Sequence, residues 1–315
     1  MKPRPPSPPC ALASLAVRTL AAISAACLLA FLATAHAGAV VSLPDPFSYD
    51  IEEMTALPGI RTLATGINNA GQVVGYSFDA PGCCARAFVF TPGLGSSFPQ
   101  PAGPITYALA INQAGTVAGD FDISGGGGGY RAFLFSGGFM LLPPLSSTYP
   151  YSDGISVNAL EEVAGDAYNL QHRWAFFYSP ALGGMVDLGT NGGVNSYARG
   201  VNDAGRVVGY YDMGASHDIW RPGTAFVWDR GHGMRDLNLI TSGLSQNSGT
   251  FDLRKATAVN NHHDRSVRQQ IVGVAGDDAA QIVRAFRLDR TIGGAQPYEF
   301  LDLGTSRTAA ALVTP

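Results

Sequence analysis

The sequence predicts an all-β fold, a β-propeller of about five four-stranded blades, on three observations. A ten-residue signature, clearest at Gly66–Gly75, returns at Ala110–Gly119 and Gly200–Gly209, with weaker copies around Asn158 and Asn260. Each copy is followed by short apolar segments separated by glycine-rich turns, the signal of strands and hairpins. Beyond the N-terminal region no segment sustains the i, i+3, i+4, i+7 apolar pattern of an amphipathic helix. The key asparagines, Asn68, Asn112, Asn158, Asn202 and Asn260, are spaced by 44, 46, 44 and 58 residues. Periods of roughly 40–50 residues belong to propellers or solenoids.

Residues 1–37 read as a secretory signal peptide. Lys2, Arg4 and Arg18 form a basic leader, Leu20–Leu32 an apolar run, and Ala35-His36-Ala37 an A-x-A cleavage pattern. The run is shorter than the ~20 apolar residues of a membrane span, although an uncleaved anchor is the competing reading. A lipoprotein reading through Cys27 fits less well, because apolar residues continue past it. No later stretch is long and apolar enough to cross a bilayer. The chain therefore divides into a signal peptide (1–37), a lead-in (38–50), a repeat domain (51–304) and a tail (305–315), and the mature part is expected to be exported and soluble.

The signal segment holds three of the 20 basic residues and none of the 24 acidic ones, which leaves a mature net charge of −7. Lys255 is then the only lysine and the arginines are scattered, so there is no footprint for nucleic acid or an anionic membrane. Two cysteines remain, Cys83 and Cys84. They are too few for a disulfide framework and lack the CxxC spacing or nearby histidines of a metal site. An incidental loop pair, free or bridged, is the expectation, and a redox switch the alternative.

Within one unit, an apolar pair leads into the asparagine, then Asn-x-Ala-Gly, then Val-Val-Gly or a variant. Asparagine accepts hydrogen bonds from the backbone two residues on, and glycine takes the left-handed position that closes the turn. This is a hairpin loop. The third copy replaces that glycine with Glu161, and the fifth lengthens the turn. A second glycine (Gly75, Gly119, Gly165, Gly209, Gly273) marks close backbone approach or a bulge. An Ala-Phe strand follows, at Ala87-Phe88, Ala132-Phe133, Ala175-Phe176, Ala225-Phe226 and Ala285-Phe286, the last interrupted by Arg287. Closing segments end four copies, at Phe139–Leu142, Met185–Gly189, Met234–Leu237 and Phe300–Gly304, while residues 96–103 fit poorly in the first. Ile51–Leu57 stands where a closing strand would precede the first copy, so strands from the two chain ends are expected to share the last blade. A β-solenoid or other β-repeat array is the competing architecture. Loop lengths argue against it: Gly75 to Phe88 is 13 residues and Gly209 to Phe226 is 17.

The repeated [GA]-[IV]-N-x-A-G-x-[VT]-[VA]-G, the Ala-Phe-aromatic strands and the Asp-Leu-Gly closers resemble the bacterial extracellular HAF repeats over residues 51–304. The resemblance implies an extracellular repeat protein and no particular activity. The histidine of the His-Ala-Phe pattern is replaced by Arg86, Arg131, Trp174, Thr224 and Arg284. The Pro-Glu-Pro sorting pattern found at the end of many such proteins does not occur in Arg307–Pro315.

No residue is assigned a catalytic, cofactor or metal role, but several groups are candidates for chemistry. Asp79, Asp120 with Asp122, Asp166 and Asp212 follow the Val-Val-Gly strands in successive copies, so they share one face. A carboxylate pair ~5–9 Å apart there would suit glycoside hydrolysis, whereas the simpler reading is that acidic residues at strand ends belong to solvated turns. His262-His263-Asp264 lies in the fifth-copy insertion and reads as a polar surface loop or a metal or base cluster. His172, His217 and His232 sit in loops without fixed-spacing partners. Gly125–Gly129 lacks the helix and Lys that a phosphate loop needs and reads as a flexible loop. Tyr149, Tyr151, Tyr168, Tyr210, Tyr211 and Trp220 could stack on sugars. Asp187, Asp236 and Asp302 recur in the closers and look structural. The expectation is a binding or interaction module for an unidentified ligand, a glycan or a surface protein, without catalysis or cofactor. A glycoside-active enzyme using the loop carboxylates is the first alternative, and a structural component of a surface assembly the second.

Overall fold

The computed structural model describes residues 61–80, 83–97, 105–126, 128–213, 223–246, 249–261, 269–277, 282–290 and 297–303. Ile51–Leu57, His262-His263-Asp264, His217 and Trp220 lie outside them. The described strands form five blades, each built on four antiparallel strands consecutive in sequence, and a separate two-stranded sheet of Ser245–Gln246 and Gly249–Thr250. Blade 1 holds Arg61–Ile67, Val73–Ala80, Cys83–Thr91 and Gly95–Ser97. Blade 2 holds Thr106–Ile111, Val117–Asp122, Tyr130–Phe135 and Phe139–Leu141. Blade 3 holds Tyr151–Val157, Val163–Tyr168, Arg173–Ser179 and Gly184–Asp187, and blade 4 Asn195–Val201, Val207–Asp212, Thr224–Asp229 and Gly233–Asp236. Blade 5 holds Asp252–Val259, Gln270–Asp277, Ile282–Arg290 and Tyr298–Asp302, with Thr241–Ser242 added in parallel at its edge. Helix among the described residues is confined to two 3-10 turns, Pro180–Leu182 and Leu237–Leu239.

This is a β-propeller and not a solenoid, because no repeat shares a sheet with the next. First strands of consecutive blades touch one another, which makes them the innermost. Blade 5 is completed by its own Tyr298–Asp302 strand, so it needs no strand from the other end of the chain. The first copy's poorly fitting closer is the short Gly95–Ser97 strand.

The turn prediction holds in detail. The Asn68 side-chain oxygen accepts from Ala70 N at 3.1 Å and Gln72 N at 3.0 Å. Asn112, Asn158 and Asn202 do the same. Gly71, Gly115 and Gly205 have φ of +75°, +87° and +68°, and Glu161 takes the same left-handed place at +59°. Asparagine does a second thing that the turn did not foretell. Its Nδ2 donates to the backbone oxygen of the next blade's asparagine: Asn68 to Asn112 at 3.1 Å, Asn112 to Asn158 at 2.8 Å, Asn158 to Asn202 at 2.9 Å and Asn202 to Asn260 at 3.0 Å. A ladder of amides thus ties all five blades.

The second glycine is forced by proximity. A Cβ built on Gly75, Gly119, Gly165 or Gly209 would stand 1.9 Å from a carbonyl oxygen of the adjacent inner strand, and one on Gly273 2.0 Å. The Ala-Phe strands alternate faces with the two-residue period of a strand. Phe133, Phe176, Phe226 and Phe286 are fully buried against the preceding blade, and Ala87, Ala132, Ala175 and Ala225 are fully buried against the following one. The core is therefore a series of inter-blade layers, in which each buried Phe contributes about 1.5–3 kcal/mol. The Asp-Leu closers are structural as expected: Leu188 and Leu237 are buried, while Asp187 and Asp236 accept from Gly189 N and Asn238 N, each at 2.8 Å.

Turn and ladder separate in one substitution pair. Asn202→Asp keeps the acceptor for the turn but removes the donor to Asn260, and Asn202→Ala removes both. Each lost buried bond costs about 1–3 kcal/mol, so chemical denaturation should rank wild type above Asn202→Asp above Asn202→Ala. Equal stability of the Asn202→Asp and wild-type chains would remove the ladder from the energetics.

Candidate functional site

Two positions escape the repeat. One lies five residues before the asparagine on the inner strand, and the other directly follows the second glycine; they face each other across the hairpin. The pairs are Leu63 with Tyr76, Tyr107 with Asp120, Asp153 with Asp166, Tyr197 with Tyr210, and Lys255 with Val274. Tyr76, Asp120, Asp166 and Tyr210 reach the next blade, and all the pairs lie at the strand ends away from the asparagine turns. Other inner-strand positions vary too, as Thr65, Leu109, Ile155, Arg199 and Thr257 do, but these two gather tyrosines and charges into a belt.

The belt is continuous. Tyr76 meets Tyr107 edge-on with ring centroids 4.8 Å apart, and Tyr107 lies 5.8 Å from Tyr130. Arg173 donates to Asp153 at 2.7 Å and its guanidinium lies 4.3 Å from the Tyr168 ring. Arg199 bonds Asp166 at 3.1 Å and sits 5.3 Å from both Tyr197 and Tyr210, which stack at 4.7 Å. Lys255 closes the series 4.7 Å from the Tyr210 ring. Cation and aromatic faces attract through the ring quadrupole, the more so when partly desolvated.

Between blades 2 and 3 the belt opens into a cavity of about 410 Å³ lined by Tyr107, Asp120, Tyr130, Asp153, Tyr168, Arg173 and Gly128. Its volume is within the usual range of small-molecule sites. The five-glycine run supplies part of the wall. Asp122 Oδ1 accepts from Ser124 N and Oγ at 2.8 and 2.7 Å, and Ser124 Oγ accepts from Gly128 N at 3.0 Å, which folds the loop back. Gly129 packs against the Tyr151 ring, where a Cβ would come within 2.3 Å.

The carboxylates separate into roles. Asp120 is 8% exposed, and its Oδ1 accepts from Gly154 N of blade 3 at 2.9 Å. Burial pushes its carboxyl well above the ordinary range, and the neighbouring Asp153 adds to this. Asp166, 2% exposed, accepts from Ala198 N of blade 4 at 3.0 Å. Burial raises it too, with Arg199 pulling the other way. Both therefore clamp one blade to the next, and only Asp120 also lines the cavity. Asp122 is the loop turn, and Asp212 accepts from Asn195 Nδ2 at 3.1 Å within blade 4. Asp79 lies in the second strand of blade 1. Burial also lifts the Tyr107 hydroxyl to about 12 and raises Tyr168, so both stay neutral hydrogen-bonding groups at physiological pH.

Of the aromatic candidates, Tyr168 lines the cavity and Tyr151 packs behind it at 5.6 Å. Tyr210 belongs to the belt. Tyr149 is buried on Trp174, and Tyr211 bonds Asn191. His232 has a partner after all, Asp229 at 2.7 Å. Cys84 is disulfide-bonded and lies within a strand instead of a loop. Among the described residues no group of three or more His, Cys, Asp and Glu could hold a metal ion, and no helix is long and apolar enough to cross a membrane. Tyr107, Tyr130, Asp153, Arg173 and Arg199 were not singled out from the sequence. Aligning the repeats and asking which inward positions vary would have found Tyr107 and Asp153.

No family model matches the chain, and no curated protein matches it. Among solved structures it is similar to one assigned to TolB from Agrobacterium tumefaciens, at 12% identity and TM-score 0.46, covering 77% of this chain and 81% of that one. A TolB from Acinetobacter baumannii is similar at 9% identity and TM-score 0.41, covering 76% of this chain and 57% of that one. The propeller assignment rests on the chain's own sheets.

The electrostatics make a signed prediction. Below the unfolded-state pKa near 3.9, Asp120 is protonated in both states and costs nothing. As pH rises toward its elevated folded value, the unfolded chain releases the proton first, so stability falls. Asp120→Asn, which keeps an acceptor for Gly154, should match wild type at pH 3.5 and exceed it at pH 7 by calorimetry. Arg199→Gln leaves Asp166 without its closest counter-charge and should lose about 3 kcal/mol at pH 7, less at pH 4. An Asp120→Asn chain less stable than wild type at pH 7 would contradict the first assignment.

Proposed function

We propose that the chain is an exported binding module that takes a glycan, or a similarly hydroxyl-rich ligand, in the cavity between blades 2 and 3. The carrying observation is the cavity's mixed wall, in which the rings of Tyr107, Tyr130 and Tyr168 surround the Asp153–Arg173 pair. Tyrosine rings offer flat apolar faces for the C–H faces of a sugar with a hydroxyl at the rim. The paired carboxylate and guanidinium offer an acceptor and several donors for its hydroxyls. Export is supported by the signal-peptide pattern in residues 1–37 and by the resemblance to extracellular HAF repeats.

Glycoside hydrolysis is the second reading, favoured by one feature: Asp120, held toward its neutral acid form, shares the cavity with Asp153. Against the carboxylate pair first expected, Asp166 is sealed by Ala198 and Arg199. A glycan array followed by calorimetry on hits tests the binding reading. Tyr168→Ala and Arg173→Gln should each weaken a hit by at least tenfold, with melting temperatures close to wild type for Tyr168→Ala. Absence of any hit, or unchanged affinity in both variants, would overturn it. Turnover of chromogenic glycosides that Asp120→Asn abolishes would install the enzymatic reading in its place.

A further inference from the structure

The four interfaces between consecutive blades are copies of one another, and the chain ends carry the two halves of a fifth that are covered only in part: on blade 1 Phe88 is fully buried while Ile67 is not. On the side of each blade that meets its predecessor, the residues equivalent to Val73 are Val117, Val163, Val207 and Ile271, all fully buried. Those equivalent to Ile67 include Val157 and Val201, at 9% and 7% exposure, whereas Ile67 itself is 69% exposed. Ile67, Val73, Phe90 and Pro92 line an open apolar hollow of about 630 Å³ on blade 1. On the opposite side, Ala87, Ala132, Ala175 and Ala225 are fully buried by the following blade, while Ala285 of blade 5 is exposed. Among the described residues, blades 1 and 5 make none of the extensive strand-to-strand contacts that join consecutive blades.

The polar groups at these ends are matched as well. Each internal interface carries the asparagine rung described above. Three also carry a second bond, from the next backbone N–H to a side chain one blade on: Asn69 N to Gln113 Oε1 at 3.3 Å, Ala159 N to Asp203 Oδ1 at 2.8 Å, and Asp203 N to Asn261 Oδ1 at 2.8 Å. At the tail, the Asn260 amide reaches only Gln270 Oε1 of its own blade among the described residues. At the head, Asn68 O and the exposed Asn69 side chain occupy the acceptor positions. The side-chain layer agrees. Phe177 of blade 3 meets Trp228 of blade 4 at 5.3 Å; the terminal equivalents are Arg287 and Phe90, a cation and a ring. Arg287 is also the one charged residue at a position that holds Val89, Leu134, Phe177 or Val227 in the other blades, and its side chain is 36% exposed.

We infer that blade 5 of one copy docks on blade 1 of a second copy, head to tail. Asn260 then donates to the second copy's Asn68 backbone oxygen, Asn261 N to its Asn69 side chain, and Arg287 covers its Phe90. The contact is heterologous: each copy uses a different surface, so association continues until the rotation closes or a filament forms.

The test mixes two singly substituted chains, Asn69→Cys and Asn261→Cys, under mild oxidation, with wild type as the control for Cys83 and Cys84. A reducible covalent dimer that appears in the mixture and in neither variant alone is the expected result. A mixture without dimer overturns the inference. A double variant that instead yields only an internally bridged monomer overturns it in favour of closure within one chain. Light scattering of the full chain is the second readout: the mass should rise with concentration, and Ile67→Lys, at an exposed position that spares the fold, should raise the association midpoint at least tenfold. A concentration-independent monomeric mass also overturns it.

Discussion

The structure depends on one hydrogen bond made over and over, from the amide of one blade's asparagine to the backbone oxygen of the next. Its strength comes from its surroundings. Asn68, Asn112, Asn158 and Asn202 are only 3–6% exposed, so an unmade bond there would leave a polar group without water. One side chain closes its own hairpin through the oxygen and fixes the neighbouring blade through the nitrogen. Local turn and global assembly therefore cannot be separated, and only an amide does both. Aspartate would close the turn but has nothing to donate, and serine is too short to do both.

Around that ladder the blades are held at a fixed, short separation. The second glycines let the middle strand approach the inner strand's carbonyl to a distance no side chain permits. In blades 2 to 5 the phenylalanine of the Ala-Phe strand fills the layer against the preceding blade, and in blades 1 to 4 the small alanine beside it makes room for the following one. Large faces small across each interface, the alternation that close-packed layers need. Stability is then approximately a sum of blades and of nearest-neighbour interfaces, as in other repeat arrays. An array of this kind is least satisfied at its ends, and the exposed Ile67 and Ala285 are that deficit made visible.

The sequence was legible where a residue is required by its own neighbourhood. Turn asparagines, left-handed glycines, Ala-Phe strands and Asp-Leu closers all announce themselves, because their constraint is local or periodic. Architecture followed from them, including strand number per blade. What was illegible depended on the partner blade. Nothing in Asn-x-Ala-Gly reveals that Nδ2 points out of its own turn. Arg287, which interrupts an otherwise apolar strand pattern, lies on a partly exposed face of the last blade. The aspartates after the glycines form one group in the sequence and two in the structure. Asp120 and Asp166 clamp the next blade while Asp122 and Asp212 serve their own. A shift of two residues along a strand decides between these roles, and only the register shows it.

The candidate site lies where the repeat stops repeating. A strictly periodic propeller would carry the same residue at each inner position, apolar for preference, since burying carboxylates as Asp120 and Asp166 are buried works against folding. This chain instead places tyrosines, carboxylates and guanidiniums there, and offsets the desolvation with backbone N–H donors from the next blade and with the Arg173 and Arg199 pairs. Sequences that fold well agree with themselves at every level, and departures that cost stability tend to mark functional positions. Here the departures are not scattered. They adjoin one another in a belt that runs from blade 1 to blade 5 and opens into the cavity between blades 2 and 3, on the end of the blades away from the amide ladder, so the part of the chain that assembles the fold and the part proposed to meet a ligand are kept apart. Selection can change the belt without touching the asparagines, which is what a repeat scaffold offers to a binding surface.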